Sequence, residues 1–230
     1  MIARLHERKG VIFMRTKKIL KIIGIILIIL LVLTLIHTIR NYIIIRNLQN
    51  KISKYSNSTN YFVKSESTKN DGTKIIMKYY QKDNKQAVFL EKTSNENEIK
   101  ISRYNNGERV DTFTETKDSK VAQLDTSTLI SVNIYNQLET DNKWQTFIGS
   151  IISNIRSEKC NDKECYVIKG FTSTTSLTFE GTKIYIDKDT GLLVKVIEDE
   201  TISNREYEFN NVEDTIFIEP DISQYTLKNN

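Results

Sequence analysis

Histidine is the side chain best suited to moving a proton near neutral pH, and the chain has two, His6 and His37. His6 lies in a basic leader and His37 at the end of a long apolar run, so no imidazole occurs after residue 37. Serine and cysteine hydrolases need an imidazole base, while zinc and non-haem iron sites draw on imidazole or clustered thiolates. Carboxylate-pair hydrolysis stays formally open, but Asp and Glu are scattered as on a solvated surface. The expectation is a non-enzymatic protein with no cofactor and no metal. Asp187, Asp189 and Gly191 imitate the start of a calcium loop. An EF-hand needs a third ligand at the fifth position and glycine at the sixth, whereas Gly191 stands fifth, so a hairpin turn is expected there. No glycine-rich phosphate loop is present.

Cys160 and Cys165, the only cysteines, enclose the polar Asn161-Asp162-Lys163-Glu164. A hairpin would make them cross-strand neighbours about 4.5 to 5.5 Å apart between Cα atoms, which a disulfide accepts. Such a short loop contributes roughly 2 kcal/mol in the loop-entropy model and fits an oxidising compartment. A redox pair would more often read Cys-x-x-Cys at a helix start, and a metal site needs more ligands. Trp144, Phe147, Ile148 and Ile151, followed by Ile152 and Ile155, recur at helical spacing. Thr140 or Asp141 can cap that helix, and a weaker pattern of Ile130, Ile134 and Leu138 precedes it. The four leading residues are candidates for lining an apolar ligand site between helix and sheet; plain core packing explains the same stripe.

Around this helix the sequence is mostly β. Ile75, Met77 and Tyr79, Ile99 and Ile101, Ile184 and Ile186, Leu192, Val194 and Val196, and Tyr207 and Phe209 recur at every second position. Asn70-Asp71-Gly72, Asn105-Asn106-Gly107 and Asp189-Thr190-Gly191 supply turns tolerant of positive φ. One sheet face should be apolar and the other wet. The expected class is α+β: a curved antiparallel sheet, a half-barrel, with helices packed on one face.

Before the domain comes an anchor. Residues 22–36 are apolar except Gly24 and Thr34, and the run extends from Ile19 to Ile39. About 20 residues span a bilayer core as a helix, and a core helix would show a polar face that this run lacks. No small-x-small site and no cysteine follow it, so neither cleavage nor lipid attachment is expected. Seven basic residues precede the span, against Arg40, Arg46, Lys51 and Lys54 just after it, which puts the N-terminus in the cytoplasm. Met14 also opens a basic leader, Met14-Arg15-Thr16-Lys17-Lys18, and is an alternative start. Tyr42, Ile45, Leu48 and Ile52 continue at helical spacing, as a stalk or an interfacial amphipathic segment. The expected organisation is a cytoplasmic leader (1–18), a transmembrane helix (19–40), a juxtamembrane stalk (41–55) and an extracytoplasmic β domain (56–230). Residues 1–40 carry 8 basic residues and 1 acidic, a charge of +7. The remainder carries 25 and 28, a charge of −3, so the basic excess belongs to the membrane flank and nucleic acid is not an expected partner.

Three stretches together resemble a known family: Cys165-Tyr166-Val167-Ile168 opening a strand after the helix; the strand, turn and strand of residues 185–195; and the ending with Tyr207, Phe217, Pro220 and Tyr225. They resemble the bacterial lipoprotein-carrier-like (LolA/LppX-like) superfamily, including its membrane-anchored Gram-positive relatives, over residues 55 to 228. The resemblance implies an open half-barrel with a helical lid over an apolar hollow, used by some members for acyl chains and by RseB-like members to sense lipid or partner proteins. The chain departs from the carriers in keeping its anchor, so a free shuttle is not expected. The functional expectation is a membrane-anchored domain that holds a lipid or other apolar ligand. A protein-interaction module in envelope or sporulation-type signalling is the alternative.

Overall fold

The computed structural model describes residues 2–55, 57–95, 97–125, 143–160, 162–169 and 182–228. The Ile130, Ile134 and Leu138 pattern and the caps Thr140 and Asp141 lie outside them. The chain begins with one 51-residue helix, α1 (Ile2–Ile52). No proline interrupts it, since the only one is Pro220. The part from Lys18 onward is long and apolar enough to cross a membrane, with an 18-residue stretch of mean hydropathy 3.2. Its isoleucines and leucines from Ile19 to Ile36 are exposed. Burial begins at Thr38 and continues on one side through Asn41, Ile45, Leu48, Gln49 and Ile52.

The remainder is a twelve-stranded, open, curved sheet. Its first meander comprises β1 (Asn60–Lys69), β2 (Lys74–Lys82), β3 (Lys85–Thr93), β4 (Glu98–Asn105), β5 (Val110–Thr116) and β6 (Lys120–Gln123). Then come α2 (Lys143–Ile152) and a second meander of β7 (Asn154–Cys160), β8 (Lys163–Lys169), β9 (Lys183–Asp187), β10 (Leu193–Glu198) and β11 (Thr201–Phe209). The strand order is β12-β6-β5-β4-β3-β2-β1-β11-β10-β9-β8-β7, where β12 is Thr226–Leu227. All pairs are antiparallel except β12 with β6. This is the α+β architecture expected. Asp71 and Asp187 accept hydrogen bonds from the backbone two residues on, at 2.8 and 2.7 Å, which builds the glycine turns at Gly72 and Gly191. Asp83, Asp162 and Asp199 turn three further hairpins at positive φ without glycine.

The helix face of the sheet is apolar, whereas the other face is wet only in its middle, where Lys64, Glu66, Lys78 and Glu206 lie, and apolar at both ends, which corrects in part the expectation of one wet face. On the helix face, Ile45 and Leu48 of α1 pack with Ile155, Ile168, Ile184, Ile186 and Leu193, and Ile52 packs with Tyr61, Val63, Tyr79 and Val88. On the other face Cys160, Cys165, Val167, Tyr185 and Val194 cluster at one end. At the other end Tyr104 and Phe113 lie under Ile216, Phe217 and Tyr225 of the C-terminal segment. At this second end the reason is coverage, since the chain folds back over the outer face after β11.

Candidate functional site

The helix-face core decides what the outer turns of α1 are. Ile45 and Leu48, read from sequence as stalk residues, are 0% and 1% exposed at the centre of a core cluster. Tyr42 is half-buried, whereas Asn47 and Asn50 face out. A helix whose apolar stripe continues beyond the span must bury that stripe, and the concave sheet is the surface at hand. The hollow in which the resemblance would put a ligand is thus occupied, over β7 to β10, by α1 itself.

A second helix lies on the first, reversed relative to expectation. Thr146, Ser150 and Ser153 at its polar face are fully buried against α1, along with Gly149. Trp144, Phe147, Ile148 and Ile151, the proposed lining, are 66%, 38%, 41% and 42% exposed. The structure brings these four together on one face, turned away from α1, with the Trp144 and Phe147 rings stacked at 5.6 Å. Sequence reasoning missed a second stripe. Residues 146, 149, 150 and 153 follow the same i, i+3, i+4, i+7 spacing as 144, 147, 148 and 151, but in small residues that admit close helix approach.

The bonds across this contact are polar. Asn41 Nδ2 donates to the carbonyls of Ser150 (3.1 Å) and Ser153 (2.8 Å), and His37 Nε2 reaches the Ser153 carbonyl at 3.1 Å. These are terminal carbonyls that a helix leaves without intrahelical partners. Gln49 Nε2 donates to Thr146 Oγ1 at 3.3 Å, so α2 runs antiparallel along α1. Arg40 Nη1 donates to the Ile155 carbonyl at 3.4 Å and ties down the start of β7.

The cysteines do not face each other directly. Cys165 is opposite Glu158 and Cys160 opposite Lys163, which makes the two thiols diagonal neighbours on the outer face. The disulfide expectation assumed a direct pair; the four residues between them place the turn one step off that symmetry. Both are buried and free. Burial, reinforced by Cys160, pushes the Cys165 thiol up to about 12.

Two other places in the fold gather polar side chains. A cleft of about 440 Å³ between α1 and the β8–β9 side is lined by Ile44, Leu48, Lys51, Lys54, Tyr166 and Lys188 among others. Two of its lysines are engaged: Lys51 donates to the Lys188 carbonyl, and Lys188 pairs with Glu164 at 3.1 Å above the Tyr166 ring. At the far end of the sheet the fully buried Asp111 carboxylate lies 2.7 Å from Arg109 Nε, and Arg109 also reaches Glu219 at 3.5 Å. Burial and the facing Asp111 hold the Glu219 carboxyl above the usual range, against the pull of Arg109. Among the described residues no three of His, Cys, Asp and Glu converge as metal ligands would.

No family model matches the chain, and no curated protein matches it. Solved structures do. One is an uncharacterized conserved protein from Thermus thermophilus, with 9% identity over 80% of this chain and 98% of that one and a TM-score of 0.39. Another is MucB in complex with MucA(peri), with 10% identity over 74% of this chain and 58% of that one and a TM-score of 0.31. A third is the LolA superfamily protein NE2245 from Nitrosomonas europaea, with 12% identity over 76% of this chain and 97% of that one and a TM-score of 0.25.

Proposed function

We propose that the chain is a non-enzymatic single-pass membrane protein whose outer domain is a protein-interaction or sensing module of the cell envelope. The observation that carries this reading is the seating of α1. A carrier keeps its concave face free for cargo, whereas here Ile45, Leu48 and Ile52 fill that face with the protein's own helix. Because α1 continues without a break from the apolar span into the core, a force on the sheet acts on the span through one rigid rod. That is the coupling a signalling module needs and a cargo carrier does not. The excess of Lys and Arg before the span supports a cytoplasmic N-terminus and an extracytoplasmic sheet.

The test uses the full chain in its own membranes. A photoreactive fatty acid should label peptides of the span and spare the concave-face peptides around Ile168 and Ile186. A photoreactive residue at Arg156, exposed on β7 at the sheet edge, should give a discrete protein adduct. Stoichiometric fatty-acid labelling of the concave peptides would replace this reading with that of a lipid holder. Protease added to wall-stripped cells should cleave the sheet domain and spare a tag ahead of residue 15.

A further inference from the structure

A helix that buries its small polar face and exposes its bulky apolar one is inverted for a water-soluble surface. Phe147, Ile148, Ile151 and Ile152 of α2 are each about two-fifths exposed, and Trp144 more so. Where these residues stand relative to the span says what covers them. Ser153, just past the end of α2, is bound by His37 and Asn41, at the outer end of the apolar run. His37 is three residues, about 5 Å, below Arg40, the first charge beyond the run. Phe147 is six residues, about 9 Å, from Ser153 along α2. Asn41, which also binds Ser153, is one residue above Arg40, so Ser153 lies about 1 to 2 Å below the level of Arg40, Phe147 about 7 Å above it, and Ile148, Ile151 and Ile152 about 6, 2 and 0 Å above it. Headgroups occupy about 5 to 7 Å on each side of the hydrocarbon core. These four residues span that layer from its base to its upper margin, and Trp144, three residues above Phe147, stands beyond it.

The sheet rim at the same level has matching charge, on the face turned away from the helices. Asn154 follows Ser153 and pairs with Lys169, which pairs with Lys183, so this row lies level with the outer end of the span. Like charges directly opposite each other repel. Neither lysine has a salt-bridge partner among the described residues. Lipid phosphates at this level would supply one. The acidic turn of Asp199 and Glu200 lies at the same end of the sheet, between β10 and β11.

Resting on the reading of α1 as a membrane span, we propose that α2 is a second membrane contact. Its face of Phe147, Ile148, Ile151 and Ile152 lies in the interfacial layer of the outer leaflet, with Lys169 and Lys183 against lipid phosphates. Two attachments fix the orientation of the sheet where one helix would leave it free to rotate.

Trp144 is the only tryptophan, so the protein carries its own probe. The full chain is placed, one copy each, in nanodiscs of phosphatidylcholine and phosphatidylglycerol with bromine near the headgroup end of the acyl chains. Trp144, beyond the headgroup layer, should emit as an exposed indole and serve as the reference. In a Trp144→Phe background, tryptophan introduced by Ile151→Trp should lose about half its fluorescence to the shallow bromines. Lys169→Glu with Lys183→Glu should reduce that quenching. Ile28→Trp in the same background should respond only to bromines placed deep in the acyl chains, which tests the span separately. A quenched position 28 with a water-quenched, lipid-insensitive position 151 would overturn the second contact and leave the anchor standing. Loss of all quenching would remove both. Shielding of position 151 only in nanodiscs holding two copies would assign the face to a second chain and equally overturn the proposal.

Discussion

Leu48→Ala asks whether the outer turns of α1 are part of the folded domain. Leu48 is 1% exposed and packs among Ile45, Ile155, Ile168, Ile184, Ile186 and Leu193. Alanine keeps the helix, so the loss is packing, and truncating a buried leucine in such a site costs about 3 to 5 kcal/mol. With about 1.4 kcal/mol per factor of ten, the folded-to-unfolded ratio should fall at least about a hundredfold. The readout is built in: Cys160 and Cys165 are buried, and both belong to the sheet. Urea-dependent thiol labelling of the reduced full chain in nanodiscs therefore follows the sheet and ignores the span. Asn50→Ala, on the exposed side of the same helix, should change stability by no more than about 0.5 kcal/mol. Phe147→Ala should cost well below the ~3 to 5 kcal/mol of a packed ring, because Phe147 faces away from α1. Equal, small losses for Leu48→Ala and Asn50→Ala would refute the seating of α1 and restore residues 41–55 as a free stalk.

Gly191 and Gly72 both sit at positive φ, but a Cβ at Gly191 would lie 2.7 Å from the Leu48 carbonyl oxygen, whereas nothing lies within 4 Å of one at Gly72. Each alanine substitution should lose about 1 to 2 kcal/mol from its backbone, and Gly191→Ala measurably more by the same labelling assay; equal losses would deny the contact between turn and helix. In the reduced native protein Cys165 should resist iodoacetamide at pH 8, because a thiol pushed up to about 12 is only about one part in ten thousand thiolate, and rapid alkylation without urea would contradict its burial. Glu219, raised above its unfolded value, favours the fold most fully below the ordinary glutamate range near 4.5, and that contribution is lost as pH rises through its folded pKa. Glu219→Gln should flatten this fall and raise the urea midpoint at pH 7 relative to the parent; an unchanged pH profile would exclude the Asp111 and Glu219 contact as its source.

Much of the fold was legible because local chemistry repeats. Alternation at Ile184 and Ile186 and the glycine turns at Gly72 and Gly191 match strands and hairpins. Hairpins turned by Asp83 and Asp199 were not read, since aspartate in the left-handed region leaves a weaker mark than glycine. The cysteine pair was read as direct when it is diagonal, because spacing reports the length of a loop and not the residue at which its turn closes.

The sequence by itself determined what depends on one segment at a time. An apolar run long enough for a bilayer, a chain without imidazole beyond residue 37, and strand and helix periods all follow from residue type and spacing. Tertiary structure alone decided which surface each stripe meets. Residues 45, 48 and 52 could have stood free, but the concave sheet offered Ile155, Ile168 and Ile184 to cover them. Likewise α2 carries two stripes at one spacing, and periodicity ranks the apolar one as the buried face. The buried polar side chains Asn41 and Gln49 on α1 reversed that order. They need hydrogen-bond partners, and only the small stripe of Thr146, Ser150 and Ser153 brings a hydroxyl and helix-end carbonyls within reach.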